Sequence, residues 1–111
     1  PDNIHALGGG WVAEETLAIA IYCALRYSDD FSKGVAASVN HSGDSDSTGA
    51  VTGNILGAWL GRSAIEEKWT RTLELKKVIL EMADDLCDAC PPSGDGSAPS
   101  PQWEKKYSFR A

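Results

Sequence analysis

The residues of this chain best placed to do chemistry are Ser42-Gly43-Asp44-Ser45-Asp46-Ser47-Thr48-Gly49. Two carboxylates and several hydroxyls fall within a few residues, just before a segment with helical character. Donors that are all oxygen suit a hard cation such as Mg²⁺, Ca²⁺ or Mn²⁺. The same residues also suit a helix start, with Asp46, Ser47 or Thr48 accepting backbone N–H bonds as the cap. The two roles are compatible. An EF-hand loop matches at Asp44, Asp46, Thr48 and Gly49, but its twelfth position, which should be a bidentate Glu, is Ile55. An aspartyl-phosphate motif would follow a strand, and Ser38-Val39-Asn40-His41-Ser42-Gly43 is not strand-like.

Other reactive residues carry weaker patterns. His41, three residues before Asp44, can orient a ligand or contact a substrate, and the competing expectation is capping or packing. Gly8-Gly9-Gly10 can admit a phosphate or an adenine closely, but no Gly-Lys-Ser/Thr follows it. Glu14 and Glu15 come next, where a helix dipole favours anions. They either start that helix or reach a cleft. Cys87-Asp88-Ala89-Cys90 has Cys-x-x-Cys spacing without the second pair a zinc site needs, so it reads as two unrelated thiols. No Ser-His-Asp arrangement follows from spacing.

The elements that must position these residues read as helical. Leu17 to Leu25 is apolar on nearly every face, which normally means burial, and a small domain has little room for it. Asp29 and Asp30 precede Phe31, Val35 and Val39, which recur every fourth residue and predict a capped second helix. A third helix is expected from about Thr48 to Leu60. A fourth is expected from about Glu66 to Cys87, with an apolar stripe of Leu75, Val78, Ile79, Met82 and Leu86. The fold class is thus all-α, a bundle of about four helices over residues 1–90. Residues 91–101 are a Pro/Gly/Ser linker. They lead into a tail with Trp103, Tyr107 and Phe109 among Lys105, Lys106 and Arg110, expected to be loosely held.

Gly49, Gly53, Gly57 and Gly61 recur every fourth residue in the third helix. Each glycine costs a helix interior about 0.5 to 1 kcal/mol relative to Ala. The spacing therefore predicts tight packing of a central helix against another backbone.

Composition sets the outer limits. The 111 residues allow one ordinary domain, and 16 acidic against 10 basic residues give a net charge of −6. An acidic chain does not suit a nucleic-acid polymer or an anionic membrane. No apolar run approaches the roughly 20 residues of a membrane span. Three cysteines are too few for a disulfide scaffold and fit a reducing compartment, so a cytoplasmic location is expected. The chain opens at Pro1 rather than Met, and a processed chain or a fragment is the expectation.

Three segments taken together resemble the ADP-ribosylglycohydrolase family, that of the dinitrogenase reductase-activating glycohydrolase. They are Gly9-Gly10-Trp11-Val12-Ala13-Glu14-Glu15, Asn40-His41-Ser42-Gly43-Asp44-Ser45-Asp46-Ser47-Thr48-Gly49-Ala50 and Gly53-Asn54-Ile55-Leu56-Gly57-Ala58. The resemblance covers roughly residues 8–90. It implies an all-helical domain that hydrolyses the glycosidic bond of ADP-ribosylated substrates with a pair of Mg²⁺ or Mn²⁺ ions. By resemblance, Asp44, Asp46 and Ser47 match the family's C-terminal metal-ligand motif, and Gly10, Trp11, Glu14 and His41 become candidates for substrate binding. Members also carry an Asp-Asp-Thr cluster near their N-terminus, which nothing here supplies. Asp29-Asp30 reads instead as a cap and Asp84-Asp85 as a solvated face. The resemblance therefore implies the C-terminal part of a catalytic domain, half a metal site, and little activity alone. The alternative is a non-enzymatic helical fragment or interaction module. Such a module would dimerise or bind a partner, because its apolar first helix and glycine stripe lack their normal cover, and a fragment would self-associate or associate with a missing N-terminal portion.

Overall fold

A computed structural model describes residues 2–88 and 105–107. The first helix, α1, is a single turn, Asp2–Ala6. It is followed by α2 (Ala13–Arg26), α3 (Phe31–Val39) and α4 (Ser45–Leu60). A 3-10 turn at Arg62–Ala64 and two further helices, α5 (Glu67–Thr70) and α6 (Lys76–Asp88), complete the described elements. No strand occurs among the described residues, and the fold is all-α. The chain divides into two compact units, Pro1–Arg71 and Thr72–Ala111. No described helix is long and apolar enough to cross a membrane.

In the first unit α4 is central. It packs against both α2 and α3, and α2 also touches α3. Its buried stripe is Thr48, Thr52 and Leu56, one residue per turn. Two of the three are polar, and each hydroxyl is satisfied. Thr52 Oγ1 donates to the Thr48 carbonyl (2.7 Å), and Thr48 Oγ1 donates to the Ser38 carbonyl (2.6 Å). The apolar part of the core is Ile4, Ile19, Ala20, Cys23, Ala24 and Leu56. Burying Leu56 contributes on the order of 1.5 to 3 kcal/mol. Burial also pushes the Cys23 thiol above its ordinary pKa.

Residues 17–25 form one helix as expected, but it is buried on one side only. Leu17, Ile21 and Leu25, four residues apart, are 50%, 44% and 74% exposed. Ile19, Ala20 and Cys23 face inward. The second predicted helix begins where expected. Asp30 is the N-cap of α3, and its carboxylate accepts the Lys33 N–H at 2.9 Å.

Two expectations are corrected. The helix predicted over 66–87 is broken: α5 ends at Thr70 and α6 begins at Lys76. Between them Leu75 adopts φ 56°, a left-handed conformation that ends helical continuity and that Leu rarely takes. The glycine stripe does not pack tightly along its length. A Cβ on Gly49 would meet Val39 Cγ1 at 2.5 Å, whereas one on Gly53 would meet nothing within 4 Å. One on Gly57 would meet only Ile65 Cδ1, at 4.0 Å. Gly61 is the C-cap of α4, with φ 79°. The regular spacing thus combines one close approach, one open position, one ordinary contact and one helix terminator.

In the second unit, α6 keeps Val78, Ile79, Met82 and Leu86 on one face, all about half-exposed. Asp85 accepts hydrogen bonds from Lys106 and from the Tyr107 hydroxyl, and Lys106 also pairs with Glu81. These contacts lower the Asp85 pKa and raise that of Lys106. Asp85 is therefore paired rather than simply solvated. The linker, Cys90, Trp103 and Phe109 lie outside the described residues.

Candidate functional site

Residues 8–11 form a tight loop because two of the three glycines take conformations closed to most side chains. Gly8 has φ 109° and Gly10 φ 75°. The first turn of α2 holds the loop in place. Glu15 Oε2 accepts N–H bonds from Gly9 (3.1 Å) and Trp11 (3.3 Å), and the Thr16 hydroxyl donates to the Gly10 carbonyl (2.8 Å). With Val12 as N-cap, Glu15 occupies the third helical position, where a Glu reaches back to donors ahead of the helix. That offset was the signal in the sequence for this role. Glu14, its neighbour, is exposed.

The acidic loop crosses this glycine loop in backbone contact. The Asp44 N–H donates to the Gly9 carbonyl at 2.8 Å. A Cβ on Gly43 would lie 1.8 Å from that carbonyl oxygen, so only glycine permits the crossing. Two segments 35 residues apart in sequence are thereby fixed against each other.

The loop ends in the N-cap of α4, which is Asp44 rather than Asp46, Ser47 or Thr48. Asp44 Oδ1 accepts the Ser47 N–H at 3.3 Å. Asp46 and Ser47 lie in the first turn, and Thr48 is fully buried one turn from the cap. The helix begins three residues earlier than expected because Asp44 is the residue whose side chain can reach a free first-turn donor. Its carboxyl is held below the usual carboxylate range, chiefly by hydrogen bonding with the Asp46 side chain and then with Ser47. Among the described residues no group of three or more His, Cys, Asp or Glu gathers to hold a metal.

Beside the loop lies an open cleft of about 520 Å³, within the range of small-molecule sites. Asp44 and Ser47 form its polar edge. Gly10, Trp11, Thr16, Leu17 and Val51 form much of the rest. Of the residues read from sequence, the structure thus brings Gly10 and Trp11 to the same cleft as Asp44 and Ser47. Asp46 is exposed beside it. Glu14 and His41 are not among its lining residues.

His41 instead faces the inside of the turn between α3 and α4. Its Nδ1 accepts the Gly43 N–H at 3.1 Å, and its Nε2 lies 2.9 Å from Thr48 Oγ1. Thr16 and Thr48 also position the two loops, through partners that lie across turns and become visible only in three dimensions.

The family model described as ADP-ribosylglycohydrolase matches residues 1–96. Comparison with curated proteins gave no match, and comparison with solved structures gave none either.

Proposed function

The chain belongs to the ADP-ribosylglycohydrolase family, and from that premise we propose that its cleft takes part in metal-dependent hydrolysis of an ADP-ribosyl glycosidic bond. The observation that carries this reading is the meeting of Asp44 and Ser47 with Gly10 and Trp11 around one cleft. In this reading Asp44 and Asp46 supply two negative charges to Mg²⁺ or Mn²⁺, and Ser47 supplies a neutral oxygen. A bound divalent cation supplies Lewis acidity, orienting ribose hydroxyls and lowering the pKa of water. The protein's own part is to hold the donors still. Asp44 is fixed through its own N–H and its cap bond, and the glycine loop is fixed by Glu15 and Thr16. Trp11 is 72% exposed at the cleft and offers an aromatic face to a nucleotide.

The test is calorimetric titration of ADP-ribose into the chain, with Mn²⁺ or with a chelator. The reading expects binding that requires the cation and is lost in Asp44→Ala. Binding indifferent to the cation and to that substitution would contradict it.

A second reading, a non-enzymatic interaction module, is favoured by one specific observation. Leu17, Ile21, Leu25 and Trp59 are all substantially exposed, and Leu25 and Trp59 share an apolar recess with Ala24, Ile55 and Leu56. Contiguous exposed apolar surface of this kind marks association sites. Light scattering with and without Mn²⁺ separates the readings: a metal-indifferent oligomer that does not bind ADP-ribose supports the module.

A further inference from the structure

We propose that His41, outside the cleft, is a positioning residue for the acidic loop and acts as a neutral imidazole with its proton on Nε2. The inference rests on the metal reading of Asp44 and Asp46 for its functional consequence, but its structural part stands on geometry alone.

The backbone N–H of Gly43 can only donate, so His41 Nδ1, 3.1 Å away, must accept and carries no proton. The ring proton then sits on Nε2 and points at Thr48 Oγ1, 2.9 Å away. Thr48 accepts it and gives its own hydroxyl proton to the Ser38 carbonyl at 2.6 Å. Ser38 lies in the last turn of α3, where carbonyls lack helical partners. One relay therefore runs from the end of α3 through Thr48 to His41 and on to the Gly43 amide. The next amide, that of Asp44, bonds Gly9. Gly43 and Asp44 are thus tied on two sides, to His41 and to the glycine loop.

A role in packing alone would need only the ring's bulk. This role needs an acceptor at Nδ1 and a donor at Nε2 together. Asn at position 41 can offer an acceptor near Nδ1. Phe keeps the bulk and offers neither.

The test has two readouts on the intact chain. The first is the ¹⁵N pattern of the His41 ring together with exchange of the Gly43 amide, without metal. An Nε2–H ring and a protected Gly43 amide are expected, and an Nδ1–H ring or a fast-exchanging amide overturns the proposal. The second is Mn²⁺ affinity, read from the paramagnetic resonance of free Mn²⁺. Residues that orient metal ligands typically change affinity by 10- to 100-fold, so His41→Phe should weaken binding roughly tenfold or more, with His41→Asn recovering part of it. Circular dichroism establishes that each variant is folded. An unchanged affinity in folded His41→Phe overturns the proposal. If the unsubstituted chain binds no Mn²⁺, the metal reading fails, and the ring tautomer and amide protection still decide the clamp. A Thr48→Ser variant, which keeps the hydroxyl, should leave the ring pattern unchanged. Thr48→Val should alter it.

Discussion

The two halves of α4 have the same glycine spacing and opposite surroundings. In the first half, Thr48 is buried and bonded across to α3, Gly49 lies against Val39, and Asp44 at the cap is tied to the glycine loop. In the second half, Gly53 borders open space, a Cβ on Gly57 would meet only Ile65 at 4.0 Å, and Trp59 is 74% exposed. Leu56 is the buried residue of that half, fitted so closely to Gly34 that a Cβ there would lie 2.3 Å from Leu56 Cδ1. The contrast teaches that a period in the sequence marks which residues share a face but not whether anything covers it. The half that carries the candidate chemistry is the half whose backbone is held.

Substitutions that add a methyl group give the sharpest test of that contrast. Gly43→Ala pushes a Cβ into the Gly9 carbonyl, a backbone atom that cannot swing away. We expect a loss of about 3 kcal/mol, the upper end for overpacking, together with loss of Mn²⁺ binding. Chemical denaturation and a metal titration measure the two effects. Thr48→Val removes the hydroxyl that serves both Ser38 and His41. It should destabilise by on the order of 1 to 2 kcal/mol, the cost of leaving buried polar groups unpaired. Denaturation midpoints should show this with little change in slope. Gly53→Ala should act in the opposite direction. Its Cβ meets nothing, so the gain in helix propensity should stabilise by about 0.5 to 1 kcal/mol. A loss at Gly53 equal to that at Gly43 would erase the distinction between the halves.

How much of this could be read from the residues follows from where each signal resides. The cap of α3 was legible because Asp30 and the donor it satisfies lie three residues apart. The helix after the acidic loop was legible for the same reason, although the cap proved to be Asp44. The break at Leu75 was not legible, because no glycine or proline marks it and the left-handed conformation falls on a residue that normally avoids it. The acidic donors were identifiable from composition and spacing. The crossing at Gly43 and Gly9 was not, since it depends on a meeting of segments 35 residues apart. The exposure of Leu17, Ile21 and Leu25 was legible in part, since a small domain has little room to cover a helix apolar on nearly every face, whereas the openness at Gly53 runs against the tight packing that the glycine spacing predicts. An apolar pattern states which surface should be covered and does not supply the cover.

A smaller effect concerns pH. The backbone N–H of Lys33 first, and its side chain second, hold the Asp30 carboxyl below its ordinary pKa. A carboxyl lowered in the folded state stabilises fully above its unfolded pKa and loses that contribution as pH falls through the folded value. Stability should therefore decline in acid with a component that Asp30→Asn removes. Thermal melts of both forms between neutral and acidic pH measure the difference, which salt should reduce because the Lys33 ion pair is exposed.

The central claim is that Asp44, Asp46 and Ser47 together hold a divalent cation at the start of α4. The most direct measurement is Mn²⁺ binding followed by paramagnetic resonance in the unsubstituted chain, Asp44→Ala and Asp46→Ala, each shown to be folded. The account predicts saturable binding that is lost in both variants. Saturable binding of equal strength in all three, or none in the unsubstituted chain, would contradict it.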